Sequence, residues 1–256
     1  MSTITQITIA GFTGRYVNPS AALYPRNPKS RIQKTQKHAY DLSMNCTDRF
    51  LNHVLTNRSS LSQLITSYLV DKYPTVKING IVRNPSEVPA KFSSNSNITI
   101  FEADSSDKAA VTKALKGSKV CICGYLGDNS LMTEGQKVLI DACIEAGVDR
   151  YIAGDWSADY RTIELGEVPM KDPMKIIYAY LQEKEAAESA IRGVHIFTGG
   201  FTEGLLANVF ADPAHTKIHY FGSGGIGLDI STMPNVAAWT AEVAMDPSAD
   251  RVISGT

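Results

Sequence analysis

Apolar positions along most of this chain fall into two alternating rhythms. Short apolar runs of strand type are followed by stretches whose apolar residues stand three and four apart, the spacing of one helix face. "ITIA" at Ile7–Ala10 is the first run. From residue 61, "LSQLITSYLVDKY" carries Leu61, Leu64, Ile65, Tyr68 and Leu69 at helical spacing, and Ser60 with Gln63 forms a capping box at its start. "VKINGIVR" and "NITIFEAD" read as strands, "KAAVTKALKG" as a helix, "SKVCICGYLG" as a strand and "SLMTEGQKVLIDACIEAGV" as a helix. "DRYIAGDW" is a strand, "PMKIIYAYLQEKEAAESAIRG" a long helix and "VHIFTGG" a strand; "NVAAWTAEVAMD" is a helix and "RVISGT" a last strand. Strands alternating with helices imply parallel βαβ units, and hence an α/β fold with a doubly wound parallel sheet and right-handed crossovers.

One segment breaks the rhythm. Gly11-Phe12-Thr13-Gly14 is a tight glycine turn after the first strand. Such a turn normally opens a helix whose N-terminus holds a phosphate. Here it runs instead into Asn18-Pro19, Tyr24-Pro25 and Asn27-Pro28. Between Arg15 and Ser60 stand eight Lys/Arg against Asp41 and Asp48, a balance of +6 that leaves −7 on the rest of a chain whose net charge is −1. Apart from a weak "DRFLNHVL" no periodicity is sustained. A structureless stretch of this length is unusual inside a compact domain. Loop-closure entropy tolerates it, because doubling a loop costs only about 0.6 kcal/mol. Residues 15–60 therefore read as an insertion into a single domain spanning 1–256. Two origins compete. Arg15-Tyr16-Val17 and Thr56-Asn57 have codon choices that match a splice donor and a branch point, the mark of a translated intron. The rival origin is a genuine regulatory loop.

Composition narrows the setting. Of the 256 residues 43% are hydrophobic and 20% charged, as in a soluble globular protein large enough for a substantial core. A net charge of −1 carries no signature of nucleic-acid or membrane binding. The start lacks a basic-then-apolar signal and no apolar run approaches the length of a membrane span, so a cytoplasmic, reducing setting is expected. Four cysteines form no CxxC pair, and Cys121 and Cys123, alternating in an apolar strand, are expected on opposite faces as reduced thiols. His195, in an apolar strand, reads as a satisfied core or edge histidine rather than a catalyst. His38, His53, His215 and His219 have no metal-ligand spacing. The basic insertion lacks the interleaved aromatic pairs on which bases stack, and "FGSGGIG" reads as a flexible turn.

With the insertion set aside, the chain resembles the NmrA-like and isoflavone-reductase-like branch of the atypical short-chain dehydrogenases. The resemblance is carried by "ITIAGFTG", "GIVRNPS", "ALKGSKVCICGYLG", "LIDACIEAGVDRYIAGDW", "YLQEKEAAESAI" and "GVHIFTGGFTEGLL", in that order. It implies a Rossmann fold that binds NADP(H), and an NADPH-dependent reductase of a small organic substrate. The same family holds NADP(H)-sensing regulators that bind a protein partner without turnover. A product inactivated by the insertion is the third reading. Family members continue beyond the point where this chain ends, so part of the substrate-side lobe is expected to be missing.

The resemblance also implies a site. Gly11, Phe12, Thr13 and Gly14 would face the pyrophosphate. Arg83, at the end of the second regular strand, replaces the acidic residue that would bond a ribose diol, and a guanidinium there fits the 2′-phosphate of NADP. Asp104 is placed near the adenine, or else caps the helix after it. Gly124 and Tyr125 mark the strand end where the cofactor crosses the sheet. Tyr180 and Lys184 form a YxxxK pair on one helix face, with Ile191 seven residues after the lysine, and are the acid/base candidates. The serine of the classical dehydrogenases is not clearly present, since Gly154 stands at its place and Ser157 comes three residues late.

Overall fold

The structure is a computed structural model that describes residues 3–13, 38–41, 60–187, 191–205, 217–220, 223, 225, 227–249 and 251–254, with backbone alone at 38–41 and 217–220. Seven strands make one sheet: β1 (Gln6–Ala10), β2 (Lys77–Val82), β3 (Ile98–Glu102), β4 (Val120–Cys123), β5 (Arg150–Ile152), β6 (Arg192–Phe197) and β7 (Val252–Ser254). Their spatial order is β7-β6-β5-β4-β1-β2-β3, and every pairing is parallel. The direction of winding reverses between β1 and β4, so the carboxyl ends of those two strands open the crevice where doubly wound sheets bind ligands.

Among the described residues five helices of eight or more residues flank the sheet: α1 (Leu61–Lys72), α2 (Lys108–Leu115), α3 (Gln136–Ala146), α4 (Asp172–Ala186) and α5 (Met233–Met245). Alternate strand residues sort into two cores. Ile7, Ile9, Ile78, Val120, Ile122, Ile152, Val194 and Ile196 pack with Ile65 and Leu69 of α1 and Ala237 and Ala241 of α5. Ala10, Ile81, Cys121, Cys123 and Tyr151 face the other way, onto Val111 and Leu115 of α2, Leu139 and Ile140 of α3, and Ile177 and Leu181 of α4. The side-chain period of a strand is two, so residues 121 and 123 share a face, and the expectation that Cys121 and Cys123 point apart is corrected. Both thiols are fully buried, and burial pushes them up in pKa, Cys123 to about 12.

Two buried polar side chains in this frame close helix ends. Arg150, 3% exposed, donates to the carbonyls of Val243, Ala244 and Asp246 and so closes the C-terminus of α5. Asn79 Nδ2 donates to Ala114 O at 2.7 Å and serves α2 in the same way. Two short pairings stand outside the sheet: Gly200–Phe201 runs parallel to Ile230–Ser231, and His38–Asp41 runs antiparallel to Lys217–Tyr220. The rest of the 15–60 segment except Ser60, and with it any test of its origin, lies outside the described residues, as does most of "FGSGGIG".

Candidate active site

The site begins where β1 ends. Gly11 takes φ +74°, and a Cβ on it would lie 2.6 Å from Gly124 O, so the turn presses its backbone onto the end of β4. The amides of Gly11 and Phe12 both donate to Ile81 O at 3.2 Å. The Phe12 side chain turns inward, fully buried, edge-on to Phe92 at 5.2 Å. Phe12 therefore anchors the turn from beneath, and Thr13 is the first residue of the turn whose amide has no bond to the sheet among the described residues. Gly14 lies outside the described residues.

The helix that the turn should open is nevertheless in place. Ser60 is the N-cap of α1 in extended conformation, its Oγ accepting from Gln63 N at 3.3 Å and lying 3.5 Å from Phe12 O as donor. Ser62 reaches the other wall: a Cβ on Gly124 would meet Ser62 Oγ at 2.0 Å. The first turn of α1, with its unsatisfied amides and positive dipole end, is thereby seated against Phe12 and Gly124 although 46 residues of chain intervene between Thr13 and Ser60. The capping signal was legible in the sequence; the docking was not.

At the other end of the crevice, Arg83 is exposed just beyond β2 and Asp104 just beyond β3. Asp104 Oδ1 accepts from the hydroxyl and the amide of Ser106 at 2.7 and 2.9 Å. Those two bonds, and then the Arg83 guanidinium, hold its carboxyl below the usual carboxylate range. The cap of α2 is Asp107, which accepts from Ala110 N at 3.0 Å, so Asp104 is not the helix cap. Tyr125, at the crossing point, is buried, and its hydroxyl has no hydrogen-bond partner among the described residues. A buried unpartnered hydroxyl at a strand end is what a polar ligand crossing there would satisfy.

The YxxxK pair lies elsewhere. α4 descends from the carboxyl edge of the sheet to its amino edge, where Glu185 Oε1 accepts from Gly193 N at 2.7 Å at the start of β6. Lys184 stands in the last turn, about 18 Å along the axis from Asp172. Its Nζ pairs with Asp141 on α3 at 2.9 Å, and Tyr180 donates to the same carboxylate oxygen at 2.8 Å. That hydrogen bond to Asp141 raises the lysine's pKa. The structure brings Tyr180 and Lys184 to one another and to α3, and not to the glycine turn. Gly154 has no room for the classical serine, because a Cβ there would lie 2.9 Å from Cys123 O.

A polar cluster missed by sequence reasoning occupies the carboxyl ends of β5 and β6. Asp155 Oδ2 accepts from Tyr160 Oη at 2.9 Å and pairs with His195 Nδ1 at 2.5 Å, all three residues at most 4% exposed. Tyr178 of α4 lies against the His195 ring at 4.6 Å. His195 is thus a satisfied core histidine, as its apolar strand led one to expect. Ser157 bridges to Phe197, and its hydroxyl donates to Ala158 O at 3.1 Å and points at Met174 Sδ at 3.6 Å. Lys171, part-buried before α4, has its Nζ 3.9 Å from the same sulfur. Positions 155, 160, 171 and 195 share no motif, so only the fold joins them. Among the described residues no group of three or more His, Cys, Asp or Glu could hold a metal, and no helix is long and apolar enough to cross a membrane.

Comparison with known proteins agrees with this fold. Residues 59–196 match a protein family described as NAD(P)H-binding. Among solved structures, isoflavone reductase superposes with TM-score 0.65 over 98% of this chain and 69% of its own, at 17% identity. AtPrR2, solved with NADP+ and (+)pinoresinol, gives 0.63 over 99% and 70%, at 14% identity. An NADPH-dependent quinone oxidoreductase from Escherichia coli gives 0.57 over 96% and 66%, at 22% identity. No curated protein matches the sequence at a significant level.

Proposed function

The chain belongs to the NAD(P)H-binding family, and from that premise we propose that it is an NADPH-dependent reductase of a small organic carbonyl or activated alkene. The observation that carries this reading is the seating of the first turn of α1 against Phe12 and Gly124 across the inserted segment. That seat restores a phosphate-binding helix terminus to a glycine turn that lacks one in sequence. Thr13 and the start of α1 would hold the pyrophosphate, Arg83 the 2′-phosphate, Asp104 the adenine edge, and Gly124 with Tyr125 the crossing to the nicotinamide. Bound there, NADPH supplies a hydride to an electrophilic carbon. The chain's own task is to orient the cofactor, exclude water and provide a proton.

A non-catalytic NADP(H) sensor is the competing reading. Its support is the absence of space for a serine at Gly154 and the commitment of Lys184's charge to the partly exposed Asp141 pair, away from the crevice. Turnover separates the two. Binding itself is tested by titrating NADPH and NADH into the protein and into Arg83→Ala. Loss of at least tenfold in NADPH affinity with NADH unchanged within twofold is expected, since only NADPH carries the group a guanidinium grips. Parallel losses for both cofactors would make Arg83 a solvated surface residue.

A further inference from the structure

If the protein reduces a carbonyl, some group must deliver the proton, and Lys184 is bound to Asp141 near the amino edge of the sheet. Two lysines stand at the carboxyl edge instead. Lys175 is committed to the loop before α4, donating to the carbonyls of Tyr160 and Arg161 at 3.3 and 3.2 Å. Lys171 is not. Among the described residues its Nζ has one hydrogen-bond partner, the thioether of Met174 at 3.9 Å, which is a weak acceptor. The same sulfur lies 3.6 Å from Ser157 Oγ, so ammonium and hydroxyl converge on one atom above the ends of β5 and β6. Asp155, the acid whose charge reaches Lys171, has its Oδ2 engaged by Tyr160 and His195.

We propose that Lys171 is the proton-donating catalytic residue of this site, with Ser157 beside it as the hydroxyl that exchanges its bond to Ala158 O for one to the substrate oxygen and so positions it. The assignment rests on the reductase reading. As hydride adds to the substrate carbon, the carbonyl π pair moves onto oxygen; the O–H bond forms as one N–H bond of Lys171 breaks. The neutral amine left behind recovers its proton from water. A partly desolvated ammonium suits this work, because burial lowers the lysine's pKa and the charge of Asp155 only partly opposes that. The Asp155–Tyr160–His195 cluster ties the segment after β5, on which Ser157 sits, to β6.

Two measurements test the assignment. Competitive acetylation followed by peptide mass spectrometry should show Lys171 titrating below the ordinary lysine value of 10.5, with protection by NADP+ and a carbonyl analogue together. Lys171→Met should bind NADPH within twofold of the unchanged protein and lose at least a hundredfold in turnover of quinones, ketones or enals. Lys171→Arg keeps charge and stem but does not release a proton near neutrality, and should be equally slow. Turnover within threefold in either variant, or titration of Lys171 at 10.5 or above, would overturn the assignment alone. An unchanged protein that binds NADPH and reduces none of these substrates would overturn the reductase reading, and this assignment with it.

Discussion

Replacing Gly11 by alanine separates two contributions that one glycine makes to the site. At φ +74° an alanine carries left-handed strain, worth about 1–2 kcal/mol. Its Cβ would also lie 2.6 Å from Gly124 O, 2.8 Å from Gly124 C and 3.0 Å from Tyr125 N. All three are backbone atoms, so no rotamer change relieves the clash and the ends of β1 and β4 must part, at roughly 1–3 kcal/mol by analogy with overpacked cores. The sum is about 2–5 kcal/mol, a large share of the roughly 5–15 kcal/mol that holds a domain together. Gly147 is the internal control. It takes φ +75° at the end of α3 with nothing within 4 Å of a Cβ, so Gly147→Ala carries the strain without the clash. Both variants lose the same unfolded-state entropy. In equilibrium urea unfolding Gly11→Ala should cost about 1–3 kcal/mol more than Gly147→Ala, and it alone should weaken NADPH at least tenfold. Equal costs, with NADPH binding intact in both, would refute the close approach of the turn to β4 as a determinant of the site.

Two further outcomes are expected. Replacing residues 15–59 by a short Gly-Ser linker should leave NADPH affinity within threefold, because the α1 terminus is already seated through Ser60 and Ser62; a gain of tenfold in a direct titration would mean that the seat is not held in the full chain. Glu242 of α5 accepts from Lys72 at the end of α1 at 2.6 Å and from Tyr73 Oη, the residue after it, at 2.9 Å, bonds that lower its pKa in the order given. A carboxyl depressed by folding stabilises above its unfolded value and loses that contribution as pH falls through the folded one. Glu242→Gln should therefore cost less than about 1 kcal/mol at pH 7, given its exposure, and the difference should vanish in unfolding measured well below pH 4.5; a cost that persists there would be packing, not charge.

What the sequence determined by itself was the frame. Ile7, Ile9 and Ile122 alternate with Thr8, Ala10 and Cys123, and Leu61 to Leu69 repeat at helical spacing; local geometry alone converts those periods into strands and a helix, and short connections force parallel crossovers. The turn at Gly11 and the cap at Ser60 were legible for the same reason, as each is a property of a few adjacent residues. The same period of two, applied correctly, also puts Cys121 and Cys123 on one face. Tertiary structure decided everything that depends on which distant segments meet. It seated Ser60 beside Phe12 across the insertion, and joined Asp155 and Tyr160 to His195. It carried Lys184 down α4 to Asp141, whereas the YxxxK spacing fixes only that Tyr180 and Lys184 share a helix face. Spacing along a helix fixes an angle around its axis but not a depth against the sheet, and depth is set by where the flanking loops let the helix begin. That begins, here, at Asp172, and leaves Lys171 at the edge where the strands end.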